Sequence, residues 1–352
     1  MWDRGGTPVP ERGGPSGGRQ WDRWGDGVTE GFTRRRGHVP AEGRNPTTAV
    51  GPGHNVGVRV SIVGFGLIGG SIARALHERA AVAQWHVTAW SRNPVPIRKA
   101  MADGVVDVVA ETLEDSLRGA DLIILAAPPL TCLSLVDELG GPLRGALSED
   151  STVTDVASAK ARIVERADAV KLPFIGGHPM AGRELSGYAA ALPDLFVGRP
   201  WVTVLGQYAR LCDGERIGEL IEACGALQIT MRAAAHDSAV AAISHMPLVI
   251  SAAMVEAVAG GLGESERADW HAAEALAATG WAGMTRLARG EPGMGAGIAA
   301  TNAAALAGRL RDVRAVIDSW LAELEREGGP DADSLLARFT VARDRLAEPD
   351  RR

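Results

Sequence analysis

The segment Gly64-Phe65-Gly66-Leu67-Ile68-Gly69 limits what this chain can fold into more than any other. It follows a β-branched run, Val58-Arg-Val-Ser-Ile-Val63, and opens a stretch of helical character over residues 67–80. A strand that turns straight into a helix needs bare backbone at defined places. Gly64 allows the tight turn, Gly66 lets the backbone approach a pyrophosphate, and Gly69 lets helix and strand pack closely. The helix N-terminus then presents unpaired N–H groups and its positive dipole end. Strand, glycine turn and helix together predict a dinucleotide site.

The alternation continues to about residue 232. Further strand-like runs cover residues 86–90, 122–126, 152–156, 173–176, 201–205 and 227–231, with helical stretches between them. The run 122–126 (LIILA) is continuously apolar, as expected of a strand covered on both faces. From residue 233 the strand signals stop. Residues 236–258 and 299–325 read as helices too broadly apolar to lie alone on a surface. The expected fold class is α/β: a Rossmann-type doubly wound parallel sheet followed by an all-helical C-terminal domain. The expected boundaries are 58–232 for the dinucleotide-binding domain and 233–345 for a helical domain for substrate binding and dimerisation. Residues 346–352 are expected to be a tail.

The first 57 residues differ from the rest. They hold 14 of the 44 glycines and 6 of the 19 prolines, without helical or strand period. Such a segment cannot bury enough apolar surface to offset its ordering entropy, so it reads as an unstructured tail. It has no apolar stretch of the kind a secretory signal carries. Hydrophobic residues at 46% and charged residues at 23% fit a soluble globular protein. A net charge of −6 argues against a nucleic-acid partner. No uninterrupted apolar run reaches the ~18 residues of a membrane span. The three cysteines, Cys132, Cys212 and Cys224, form no CxxC pair, which fits a cytoplasmic protein without a disulfide framework or zinc ribbon. All three read as buried and inert.

The end of the second strand bears on cofactor choice. Trp90-Ser91-Arg92-Asn93 offers no carboxylate for the ribose 2′-hydroxyl of NAD. Ser91 is a small donor, and Arg92 can pair with a 2′-phosphate, so NADP is favoured over NAD. Pro128-Pro129 closes the run 122–126, and Pro128 is expected beside the nicotinamide.

Several blocks then follow in a fixed order. Asp155-Val-Ala-Ser158-Ala-Lys160 comes after a strand. Gly176-Gly-His178-Pro-Met-Ala-Gly182-Arg183-Glu184-Leu-Ser186-Gly187 comes next, then Ser244-His245-Met-Pro247 and Met284-Thr285-Arg286. With the glycine turn, this set resembles the prephenate/arogenate dehydrogenase family of tyrosine biosynthesis over roughly residues 58–324.

That resemblance implies a mechanism. Hydride leaves ring C4 of prephenate, or of its amino counterpart arogenate, for the nicotinamide, while the ring carboxylate departs as CO2. His178 matches the base that takes the C4 hydroxyl proton. A neutral imidazole suits that task near neutral pH. Ser158 matches the residue that hydrogen-bonds the reacting hydroxyl; read alone, it equally suits capping of the following helix. Arg286, His245, Glu184 and Arg183 are the substrate-binding candidates, with Arg286 as a fork for a carboxylate. His236-Asp237 reads as a helix start with a polar network. The family also implies a homodimer and no metal.

Two positions depart from the family pattern. Leu248 stands where a second histidine is common. Met294-Gly295-Ala-Gly297 lacks the usual tryptophan, and Trp281 is expected to fill that gap. The alternatives to prephenate are therefore arogenate, making tyrosine directly, and 4-amino-4-deoxyprephenate. A dinucleotide-binding sensor without catalysis is the remaining alternative.

Overall fold

A computed structural model describes residues 57–79, 85–183, 185–263 and 267–347, all within one compact unit. The 1–56 part of the proposed tail, residues 348–352 and Glu184 lie outside the described residues. The expected first unit appears as written: β1 (Val58–Val63) turns at the glycines into α1 (Leu67–Arg79). There follow β2 (Trp85–Trp90), α2 (Val95–Ala102), β3 (Val108–Val109), α3 (Leu113–Leu117), β4 (Leu122–Leu125) and α4 (Pro129–Gly140). Then come β5 (Thr152–Asp155), α5 (Ala161–Ala169), β6 (Phe174–Pro179), β7 (Pro200–Leu205), α6 (Leu211–Ala223) and β8 (Leu227–Thr230).

The strands make one eight-stranded sheet in the order β3-β2-β1-β4-β5-β6-β7-β8. Every neighbouring pair is parallel except β6 and β7. The chain reverses direction across the sheet between β1 and β4, the place where such sheets open a crevice at their carboxyl ends. Alternate residues of β4 serve opposite faces. Leu122 and Ile124 pack with Ile72 and Leu76 of α1 and Ile217 and Leu220 of α6. Ile123 and Leu125 pack with Leu135 and Val136 of α4 and Ile163 of α5. Burial of each such side chain contributes about 1.5–3 kcal/mol.

Two strands differ from expectation. β3 is too short, at two residues, to leave a pattern in the sequence. β6 runs past Gly176 to Pro179, so His178 lies within a strand rather than after one. The Gly176-Gly177 pair directly precedes His178, and a Cβ on Gly177 would sit 2.5 Å from the Asp155 carbonyl oxygen. Close strand approach demands that glycine.

The helical part contains α7 (Ala233–Val240), α8 (Met246–Ala259), α9 (Trp270–Ala275), α10 (Thr279–Thr285), α11 (Pro292–Thr301), α12 (Ala303–Leu324) and α13 (Ala332–Ala347). The expected helix over 236–258 is α7 and α8 joined by a π-helical turn, Ala241–His245. Pro247 has no N–H for the carbonyl four residues before it, and the wider turn absorbs the mismatch. The expected helix over 299–325 breaks at Asn302, whose side chain is used elsewhere.

The continuous segment Ala233–Ala259 has 27 residues and contains an 18-residue window of mean hydropathy 1.7, long and apolar enough to cross a membrane by those measures alone. The expectation of no such run counted only unbroken apolar residues. Its buried His236, Asp237 and His245 tie it into the folded body. Cys132 and Cys224 are buried as expected, and burial pushes each thiol up to about 12. Cys212 is exposed instead, on the outer side of the first turn of α6, whose Asp213 is buried. Trp281 packs at a tilt against Trp270, ring centroids 5.9 Å apart, and does not line the cavity that Met294 lines.

Candidate active site

A cavity of about 750 Å³ opens at the carboxyl ends of β1 and β4. Gly64, Phe65, Gly66, Leu67 and Ile68 line it, as do Ser91, Arg92 and Pro128. Gly64 has φ +100°, and a Cβ there would lie 2.4 Å from the Ala126 carbonyl oxygen. Gly69 stands just behind, where a Cβ would lie 2.4 Å from the Gly64 carbonyl oxygen. Around Gly66 nothing lies within 4 Å of a Cβ position, so that backbone stays open to a ligand. The residues fit a dinucleotide: a bare glycine turn, an open helix start, and an arginine rather than a carboxylate after β2.

Thr131, Ser134, Leu135 and Glu138 of α4 also line the cavity. They were missed in the sequence reading. Their spacing of three, one and three marks a single helix face and was the available signal.

On the other side of the cavity are Ser158, His178 and Arg183. His178 Nδ1 meets His236 Nε2 at 2.8 Å, and His236 Nδ1 meets Asp237 Oδ1 at 2.8 Å. A carboxylate accepts only, so His236 donates from Nδ1. With Nδ1 donating to Asp237, His236 Nε2 serves as the acceptor for His178 Nδ1–H. That bonding pattern assigns the free lone pair of His178 to Nε2, the nitrogen left for the cavity. Burial, then the neighbouring His236, Lys160 and His245, hold the His178 imidazole well below its ordinary pKa. It is therefore neutral, as a base must be.

Asp237 does more than orient His236. It accepts the N–H groups of Lys160 and Ala161, at 2.8 and 2.9 Å, and so caps α5 from outside. Ser158 is not the cap of that helix. Burial would raise the Asp237 pKa, but bonds from His236, Lys160 and Ala161 outweigh it and hold the carboxyl low. Asn302 donates to the Asp237 carbonyl at 2.8 Å and bonds His245 Nδ1 at 3.1 Å.

Two family models match this chain. Residues 72–230 match "Prephenate dehydrogenase, nucleotide-binding domain", and residues 232–340 match "Prephenate dehydrogenase, dimerization domain". This chain belongs to the prephenate dehydrogenase family. A prephenate dehydrogenase of Bacillus subtilis is 29% identical over 288 residues, 81% of this chain and 74% of that one. A cyclohexadienyl dehydrogenase of Zymomonas mobilis is 28% identical over 287 residues, 80% of this chain and 92% of that one. The crystal structure of Synechocystis arogenate dehydrogenase is similar with a TM-score of 0.65 and 32% identity, over 82% of this chain and all of that one.

Within this family member, the predicted substrate residues separate. Arg183 lines the cavity and donates to the Ala190 carbonyl at 3.1 Å. His245 does not line it. It is wholly buried behind Ser158, and burial holds its pKa down. Arg286 does not reach the wall in the single chain. It is exposed at the start of the turn Arg286–Arg289, which the Ser251 hydroxyl anchors by accepting Ala288 N–H at 3.0 Å. The wall is made by residues a few positions on: Gly290, Glu291 and Met294. Leu248 lies off the wall too, beside Gly295. Gly297 lets α11 come close to α4, since a Cβ there would already touch Pro129 at 3.4 Å.

These buried groups predict acid lability. His178 and His245 are held neutral below their ordinary pKa, so the unfolded chain binds more protons than the folded one below about 6.5. Arg59 holds the Asp121 carboxyl low and Arg210 that of Asp213, against burial, as His236 does for Asp237. Those carboxylates lose their contribution as pH falls through about 4. Stability should rise from pH 5 to pH 7.5. Equal urea midpoints at those two pH values would refute this.

Proposed function

We propose that this family member oxidises prephenate to 4-hydroxyphenylpyruvate and CO2, with NADP preferred over NAD. The observation that carries this is His178, tied at Nδ1 and open at Nε2, in the same cavity as the glycine turn. The bound dinucleotide supplies the hydride acceptor. His178 Nε2 takes the C4 hydroxyl proton as the C4 hydride departs. When the ring carboxylate leaves as CO2, its bonding electrons make the ring aromatic, and His178 returns the proton to the phenolate oxygen. Ser158 orients the hydroxyl, and Arg183 offers N–H groups to a substrate carboxylate. The main requirement is to hold C4 near the nicotinamide. The chain works as a cytoplasmic homodimer, joined through the apolar face of its helical region, residues 233–345.

Arogenate is the second reading, favoured by the 32% identity to the Synechocystis arogenate dehydrogenase. A steady-state assay tests both: prephenate and arogenate, each with NAD and NADP. The expected result is a kcat/KM of about 10⁴ M⁻¹s⁻¹ or more for prephenate with NADP. Turnover of arogenate alone would transfer the reading to that substrate. Silence of all four pairs would reject it.

Arg92 carries the cofactor preference. Replacing it with Ala removes a charge-assisted contact of about 1.5–3 kcal/mol. The KM for NADP should rise roughly 10–150-fold while that for NAD stays within about twofold. A parallel change in both would take Arg92 out of the 2′-phosphate site.

A further inference from the structure

Gly177 immediately precedes the base. The ladder between β5 and β6 reaches only Val153–Phe174 and Thr154–Ile175, and β5 ends at Asp155. Beyond it, the polar groups of Gly177 on that side have no strand to pair with. Two side chains take the strand's place. Asp155 Oδ1 accepts Gly177 N–H at 3.0 Å, and Lys160 Nζ donates to the Gly177 carbonyl at 2.7 Å. That carbonyl belongs to the peptide bond that carries His178. Asp155 and Lys160 also pair with each other, and both side chains are wholly buried. Asp155 is held in turn by Ala157 N–H at 3.1 Å.

Lys160 reaches the base by a second route. Its backbone N–H bonds Asp237, which holds His236, which holds His178 Nδ1. A buried ion pair is a poor device for stability, because well-packed apolar residues of similar volume often do as well or better. Its position is better explained by what it holds. We propose that Asp155 and Lys160 form a clamp that positions His178, by gripping the N–H and C=O of Gly177 where the neighbouring strand has ended. Lys160 is thus a positioning residue for the reaction. The inference rests on His178 being the base.

The clamp also shapes the field at the imidazole. The groups around His178 are His236 and Asp237 on α7, His245 in the π turn, and Asp155 and Lys160 between β5 and α5. Arg183 lines the same cavity, and the β7 partners Val202 and Trp201 bear no charge. The Lys160 ammonium disfavours a second cation on His178.

The test is Lys160→Met, which keeps length and loses both charge and donors. Removing the cation raises the pKa of the base, so the acid limb of the kcat profile should move up by about half a unit or more. At its optimum, kcat should fall about 10-fold or more, with both KM values within about threefold. Lys160→Arg, which restores the charge, should bring the limb back. An unmoved limb, or a fall in kcat matched by a rise in both KM values, would overturn the clamp. Should Lys160→Met not bind dinucleotide, the double variant Asp155→Asn/Lys160→Met buries no charge. It is then judged by the fall in kcat at constant KM, and an undiminished kcat overturns the proposal. His178→Asn is assayed alongside. If it retains turnover, the base assignment itself fails. If it is silent while Lys160→Met is unaffected, the clamp alone fails.

Discussion

Replacing His178 with Asn should lower kcat by about 10²–10⁴-fold, the usual worth of a positioned general base. The substitution is chosen for its shape. The Asn amide can still donate to His236 Nε2, so the chain from Asp237 through His236 keeps its bonds. What is lost is the lone pair at the Nε2 position, in the cavity. Dinucleotide affinity should change little, because the glycine turn belongs to β1 and α1 and His178 to β6. Proximity to the nicotinamide would sustain the residual rate. The measurement is single-turnover formation of reduced dinucleotide, with affinity read separately by fluorescence. A rate within threefold of the parent would remove His178 from the chemistry.

The second large effect falls on the glycine turn. At Gly64 an alanine meets two penalties: a φ of +100° and a Cβ 2.4 Å from the Ala126 carbonyl oxygen. Strained backbone alone costs about 1–3 kcal/mol, and the clash must be relieved by moving β1 or β4. A loss near 3 kcal/mol lowers the melting temperature by roughly 4–5 °C in a chain of this size. Dinucleotide affinity should fall by about 100-fold or more, because the turn that presents the α1 N-terminus is displaced. Gly66→Ala is the control. Its Cβ meets nothing within 4 Å, so the melting temperature should hold while affinity still drops. Gly64→Ala with parental affinity would mean that the turn does not hold the pyrophosphate.

The fold was legible where side chains report burial. The run 122–126 is apolar on every residue because β4 is covered on both faces, and Gly64, Gly66 and Gly69 report close backbone approach. It was illegible where backbone geometry answers to distant partners. Nothing local to Gly177 says that Asp155 will lie against it. Asn302 looked like one more helical residue, yet it ends α11 and bonds both His245 and the Asp237 carbonyl. His178 stood out from its block, but the partner at its Nδ1 did not. His236 is 58 residues away in sequence, and only the packing of α7 beside β6 brings the two rings together. Arg286 is the opposite case: its motif was plain, but the turn it starts leaves it exposed, with Gly290, Glu291 and Met294 at the wall.

The wall formed by those three residues has a practical meaning for redesign. The hydrogen-bonded circuit from Asp155 to Asn302 does not pass through Gly290, Glu291 or Met294. Among the described residues, the Glu291 side chain bonds the start of its own helix, through Gly293 N–H and Met294 N–H. On the proposed function, combinatorial libraries at Met294 and its neighbours can therefore search for new ring substituents with the chain from Asp237 to His178 left in register. Libraries that include Asn302, which lies off the cavity wall but bonds the Asp237 carbonyl and His245, would instead be dominated by dead clones.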